Sequence, residues 1–258
     1  MPVGSHSGSG NSLALRLLQA YGPDPTVLGQ AQLSDGDVEI LYTLGLHYLV
    51  LHGVETGALM VSTEMLELLH AADLTARVVH NQLCTTLEEV LVAADESSIP
   101  VVLLKGIANA ADLYLQPHHR TMGDIDILVA PEDAELLYRR LRDLGYQPAD
   151  PARGMVWAGG HHHLHPLKHS KSQVPVEIHT ALFSRVSTDL REIFEPARVW
   201  ASTEPTQLRG QPCLRLTSEL DFVYTIAHWA NDLYRTTNAI GICDIARMLA
   251  VRTASIDW

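Results

Sequence analysis

RTMGDIDILV, residues 120–129, sets two aspartates into what otherwise reads as a covered strand. Ile125, Ile127, Leu128 and Val129 are β-branched and aliphatic types that fit a pleated, buried surface. Strand side chains alternate with period two, so Asp124 and Asp126 project from one face. Two carboxylates held side by side repel, and withdrawing them from water is costly unless a positive charge compensates. A divalent cation is the expected compensation.

Working outward, IPVVLL (99–104) is a continuous apolar run suited to a central strand, and KGIANAADLYL (105–115) reads as a turn at Gly106 followed by a helix. QPHHRTMG (116–123) is a loop broken by Pro117 and Gly123, and PEDAELLYRRLRDLG (131–145) is a helix with Pro131 at its start and Gly145 at its end. Strand, helix, strand, helix indicates an α/β unit. GYQPA, GMVWA and HHHLHPL read as short strands of a meander, and VPVEIHTALF (174–183) as a further strand. There Glu177, flanked by Val176 and Ile178, alternates out of an apolar strand as the aspartates do, and His179 shares its face. Three carboxylates on neighbouring strands would suit Mg²⁺, which takes oxygen ligands from a few carboxylates, phosphates and water. Two such ions about 3.5–4 Å apart clamp the attacking and leaving oxygens of a phosphoryl displacement.

The turn before this strand offers the phosphate contacts. Gly106 lets the backbone bend closely into a helix whose amides can receive phosphate oxygens. Lys105 adds a positive charge, and Arg120 lies in the loop leading to the aspartates. The competing reading is that Lys105 snorkels at a strand end and Arg120 pairs with a nearby carboxylate.

The flanks are helical. DVEILYTLGLHYLVLHGV (37–54), STEMLELLHAADL (62–74) and CTTLEEVLVAADESS (84–98) repeat apolar residues at three- and four-residue intervals, with Ser34 or Asp35 as first cap. His47, His52, His70 and His80 read as packing or surface positions. Beyond Asp189 come a hairpin in QLRGQPCLRL with Gly210 at its tip, then helices in TSELDFVYTIAHWANDLY and AIGICDIARMLAV. The expected organisation is α+β with an α/β core: a flexible tail over 1–34, a helical region over 35–97, a catalytic core with a mixed sheet over 98–188, and a mainly helical region over 189–258. The closing SIDW breaks off on a Trp, as expected if a longer helical tail followed.

The formal charge of −12, from 30 acidic and 18 basic residues, argues against a protein that coats nucleic acid. Cys84, Cys213 and Cys243 show no CxxC pairing, which points to neither a zinc set nor a disulfide framework and suits a reducing cytoplasm. MPVGSHSGSGNS lacks the pattern of a signal peptide, and the longest apolar stretch, Ile40–Val54, is too short and polar to span a bilayer.

LKG, the helix after it, RTMGDIDILV and VEIH together resemble the nucleotidyltransferase superfamily with the polymerase-β-type catalytic fold, and within it the uncharacterised nucleotidyltransferases. The resemblance runs from about Val38 to Trp258, with the DID and EIH elements its specific parts. It implies that Asp124 and Asp126 bind the catalytic metals, two Mg²⁺. Glu177 would be the third carboxylate, orienting or deprotonating the acceptor hydroxyl, and Lys105 and Gly106 would form the nucleotide-phosphate turn. The superfamily's usual Gly-Gly or Gly-Ser turn is replaced here by Lys105-Gly106, so Lys105 or Arg120 would grip the triphosphate. His179, its face fixed by Glu177, is a further candidate for nucleotide contact.

HHHLHPLKH (161–169) holds five of the fourteen histidines. It reads first as a meander strand with polar edge residues, with a zinc site or a phosphate contact by His163 or His165 as alternatives. Tyr224, His228, Trp229 and Asp232 fall at helical spacing and read as core, while Asp244 is either a cleft residue or a partnered structural aspartate.

The expected activity is transfer of a nucleoside monophosphate from an NTP to a hydroxyl or phosphate of a small-molecule, peptide or protein acceptor. Two rivals stand beside it: a degenerate member that binds without turnover, and a metal-dependent phosphoesterase using the same carboxylates.

Overall fold

Ser34 starts the first helix by reciprocal capping. Its Oγ accepts from the Asp37 N–H, and the Asp37 carboxylate accepts from the Ser34 N–H. The structure, a computed structural model, describes Leu17, Tyr21 and residues 31–150, 162–184, 191–231 and 239–257. GMVWA, His161 and Asp232 lie outside these residues, as does most of the expected tail. Leu17 and Tyr21, within that tail, are both buried.

The helix at Ser34, α1 (Asp35–Thr43), ends where the sequence pattern suggested continuation, and α2 (His47–Glu55) begins after it. Gly45 makes the break, with a φ of +73° in the left-handed region. A Cβ there would also come within 3.1 Å of Thr121 Oγ1. Short strands β1 (Ala31–Gln32) and β2 (Leu59–Met60) pair in parallel beside these helices. The two later helical segments are one helix, α3 (Thr63–Asp95), 33 residues long and capped by Ser62. No Gly or Pro interrupts TARVVHNQL between them, so nothing breaks the hydrogen-bond ladder.

The catalytic-core expectation maps onto β3 (Val102–Leu103), α4 (Lys105–Leu113), a 3₁₀ turn (Pro117–His119), β4 (Ile125–Leu128), α5 (Pro131–Asp143), β5 (Tyr146–Pro148), β6 (Leu167–His169) and β7 (Pro175–His179). After α6 (Pro196–Ala201) come β8 (Thr203–Leu208) and β9 (Gln211–Leu216), turning at Gly210, then α7 (Ser218–Asn231) and α8 (Ala239–Arg252). Among the described residues, seven strands form one mixed sheet in the order β5-β6-β7-β4-β3-β9-β8, which includes β8 and β9 beyond residue 188. Helices around a mixed sheet make the fold α+β, as read from the sequence.

Period-two alternation sorts the strands. Ile125, Ile127, Val176 and Ile178 pack with Leu87, Val90 and Leu91 of α3 and Leu137 and Leu141 of α5. The opposite face carries Val102 and Leu128, packed with Leu216, Leu220 and Tyr224. A third cluster joins α1, α2 and the start of α3 to Cys243 and Met248 of α8. Each fully buried Leu or Ile contributes about 1.5–3 kcal/mol. The polar members of β4 and β7 are left on the face opposite α3 and α5, and there the site forms. Among the described residues, no helix is long and apolar enough to cross a membrane.

Candidate active site

β4 and β7 run parallel, with Asp126 directly opposite Glu177 and Leu128 opposite His179. Alternation sets the faces: once Ile125, Ile127, Val176 and Ile178 enter the core, Asp126, Glu177 and His179 must share the other face. Asp126 is only 6% exposed. His179 Nε2 lies 2.7 Å from Asp126 Oδ1 and 3.7 Å from Glu177 Oε2. One ligand atom from each of the three falls within 4.8 Å of the others, a set that could hold a metal ion. Asp124, in the bend before β4, is exposed and stands outside that tight group. Its charge still reaches Glu177.

Electrostatics distinguish the three carboxylates. Burial pushes the Asp126 carboxyl up, but the His179 hydrogen bond and the Lys105 charge outweigh it and hold the group well below the usual carboxylate range. Glu177 is raised by burial and then by the Asp126 charge. Asp124 is raised by desolvation and then by Asp126. Burial also lowers His179. The neutral ring donates Nε2–H to Asp126, and His179 Nδ1 has no hydrogen-bond partner among the described residues. Two carboxylates with raised proton affinity around an ionised third form a cation-seeking site. A hard divalent ion fits this donor set, with Asp126 and Glu177 as oxygen ligands and Asp124 at the rim.

Lys105 begins α4, and its Nζ lies 3.0 Å from Asp126 Oδ1. The residue adopts φ +51°, a left-handed conformation unusual for a side chain with a Cβ. Gly106 follows because space is short: a Cβ there would lie 3.2 Å from Arg120 Nη1 and 3.3 Å from Met122 Sδ.

Arg120 takes the structural reading left open by the sequence. Its Nε and Nη2 bind Asp244 of α8 at 2.7–3.0 Å, and Nη1 donates to the Thr121 carbonyl. Tyr114 Oη donates to the same Asp244 at 2.7 Å. Asp244 is therefore a partnered aspartate; Arg120 also lines a small cavity with Lys105, His228 and Trp229, and its charge acts on Asp124.

His163 forms a bridge with His179, and the His162 and His163 rings lie 5.1 and 5.3 Å from the His179 ring. The His163 charge acts on Glu177. These neighbours carry the one signal the sequence offered, histidines alternating in a meander strand.

Carboxylates from two adjacent parallel strands, meeting on one face of a mixed sheet beside a lysine-bearing turn, define a site suited to a metal and phosphates. The chain belongs to the family described as uncharacterised nucleotidyltransferase, which it matches over residues 38–258. Among solved structures it is similar to the antibiotic-resistance factor ANT(2'')-Ia in solution, at 16% identity and a TM-score of 0.49 over 68% of this chain and 86% of that one. An antigenic nucleotidyltransferase-like protein from Paracoccidioides brasiliensis gives 16% and 0.45 over 66% and 76%. The lincosamide antibiotic adenylyltransferase LnuA, bound to lincomycin, gives 15% and 0.39 over 64% and 95%. No curated protein matches the chain.

Proposed function

We propose that the chain is a metal-dependent nucleotidyltransferase that moves a nucleoside monophosphate from an NTP to a hydroxyl or phosphate of a small-molecule, peptide or protein acceptor. The observation that carries this reading is the parallel register of Asp126 with Glu177, completed by His179, in a chain of this family. Asp126 and Glu177 would hold Mg²⁺, with Asp124 joining from the rim, and the ion would supply charge neutralisation at the reacting phosphate. His179 fixes Asp126 through Nε2–H, as an outer hydrogen bond fixes a ligand. The acceptor oxygen attacks the α-phosphorus, the bond to the β-phosphate oxygen breaks, and pyrophosphate leaves. Glu177 orients the acceptor and, where the acceptor is a hydroxyl, takes its proton. Lys105 stabilises the triphosphate and the departing pyrophosphate. Catalysis is mainly positioning and charge neutralisation.

One observation favours a second reading. Lys105 already places an ammonium on Asp126 Oδ1, as a built-in cation would. A lysine fixed there would leave a protein that binds nucleotide without turnover. Its side chain is 22% exposed on a flexible stem, so displacement by a metal is open to it.

The test is pyrophosphate release from labelled NTPs with Mg²⁺ and a panel of acceptors that includes aminoglycoside and lincosamide antibiotics. Turnover should fall at least about 10³-fold in Asp126→Asn, given the several kcal/mol a bound cation contributes. Nucleotide binding without release across the whole panel would support the second reading. Hydrolysis of phosphodiesters without an NTP would point to a phosphoesterase.

A further inference from the structure

A second group of ligand-type side chains lies away from the carboxylate site, where α3 meets the 3₁₀ turn. His118 Nε2 lies 2.9 Å from Asp73 Oδ1, and His119 Nε2 lies 3.8 Å from the same oxygen. One donor atom from each falls within 4.8 Å of the others. We propose that Asp73, His118 and His119 form a transition-metal site, filled by Zn²⁺, that staples α3 to the segment leading into Arg120 and Asp124.

The chemistry differs from that of the carboxylate site. One carboxylate oxygen and two imidazoles suit zinc, whereas magnesium prefers oxygen alone. Zinc bonds of about 2.0–2.2 Å in a tetrahedron hold donor atoms about 3.3–3.5 Å apart, so the observed spacings need only small shifts. Asp73 Oδ2 is taken by Arg77 Nε at 2.7 Å, which leaves Oδ1 as a single aimed ligand atom. The His119 imidazole is also held from behind: its Nδ1 lies 2.5 Å from Tyr21 Oη, and Tyr21 Oη accepts from the Leu115 N–H at 3.1 Å. Such an outer hydrogen bond fixes the tautomer and orientation of a metal-bound histidine.

Access exists as well. A cavity of about 320 Å³, lined by His47, His80, His118 and Thr121, reaches the site. Water from that side completes four-coordination. A simple buried ion pair would account for His118 and Arg77 on Asp73. It gives no reason for a second imidazole to turn Nε2 toward the same oxygen while its other nitrogen is fixed by a buried tyrosine.

The whole chain, stripped of metal with a chelator, is titrated with Co²⁺, whose visible band reports four-coordination, and then with Zn²⁺ while thermal unfolding is followed. Wild type and Asp126→Asn are each expected to bind one Co²⁺ that gives that band, whatever the carboxylate site takes up, and to gain stability with Zn²⁺. His119→Gln and Asp73→Asn are expected to lose the band and bind at least about 100-fold more weakly, while Tyr21→Phe keeps the band and weakens about tenfold. If His119→Gln fails to fold by circular dichroism, the near-isosteric Asp73→Asn decides. An unchanged band in Asp73→Asn, or no band in wild type, overturns the assignment. A band lost in Asp126→Asn instead would move the ion to the other site and overturn it equally.

Discussion

Asp126 Oδ1 sits between an ammonium and an imidazole, Lys105 at 3.0 Å and His179 at 2.7 Å, and each can be removed separately. Lys105→Met keeps the stem but removes the charge. On the proposed mechanism it should raise KM for the NTP about tenfold or more and lower kcat, measured by pyrophosphate release over a range of NTP concentrations. A rise in activity would show instead that the lysine obstructs the metal. Glu177 has the opposite proton affinity from Asp126, and the signs separate in pH-dependent unfolding. The depressed Asp126 carboxyl stabilises the fold above the ordinary carboxylate range and loses that contribution as pH falls toward its own value. The raised Glu177 carboxyl costs stability once pH rises through its folded value. Glu177→Gln should therefore raise Tm at pH 7 without metal, flatten the slope of Tm against pH just above the carboxylate range, and abolish turnover. A lower Tm in the variant would refute the crowding argument.

At the level of elements, alternation and breakers carried most of the reading. DIDI and VEI declare their faces because apolar and acidic residues alternate, whereas the register that sets Asp126 opposite Glu177 is not fixed by alternation, which allows shifts of two residues. Gly210 and Ser34 mark a hairpin and a cap by local chemistry, and both stand in the structure. The break at Gly45 was not legible, because a glycine inside an apolar run signals a turn only when something crowds it, here Thr121. Beside the phosphate-turn role expected of Gly106, the structure adds a steric constraint, the Arg120 guanidinium against the place a Cβ would take. Gly106→Ala should cost about 1–3 kcal/mol in chemical denaturation, since Arg120 is anchored to Asp244 and cannot retreat. A neutral result would mean that Met122 and Arg120 shift freely.

Across the whole molecule, α8 joins the sheet to the N-terminal helices. Cys243 and Met248 pack among α1, α2 and α3, and Asp244 on the same helix binds Arg120 just ahead of β4. Sequence spacing could not reveal this pair, because its members are 124 residues apart and each alone suits a surface or a cleft. Asp73 with His118 escaped notice for the same reason, 45 residues apart, one on a helix and one in a loop. Arg120→Met leaves Asp244 buried without its cation and should cost about 3–5 kcal/mol of stability, measured by urea unfolding. The double variant Arg120→Met/Asp244→Leu should recover most of that loss, which separates a structural role from nucleotide contact.

The order of strands in the sheet has a kinetic corollary. β4 lies between β3 and β7, and β3 takes its other neighbour from β9, pairing Val102 with Leu214 across more than a hundred residues of chain. Helices close within a few residues, but these strand pairs must pay for long loops before they gain anything. During synthesis Asp126 emerges well before Glu177, so the carboxylate pair cannot capture a cation until β7 has left the ribosome. Helical signal should thus return early in refolding, and the proposed competence to bind metal should arrive later, with the pairing of β4 and β7.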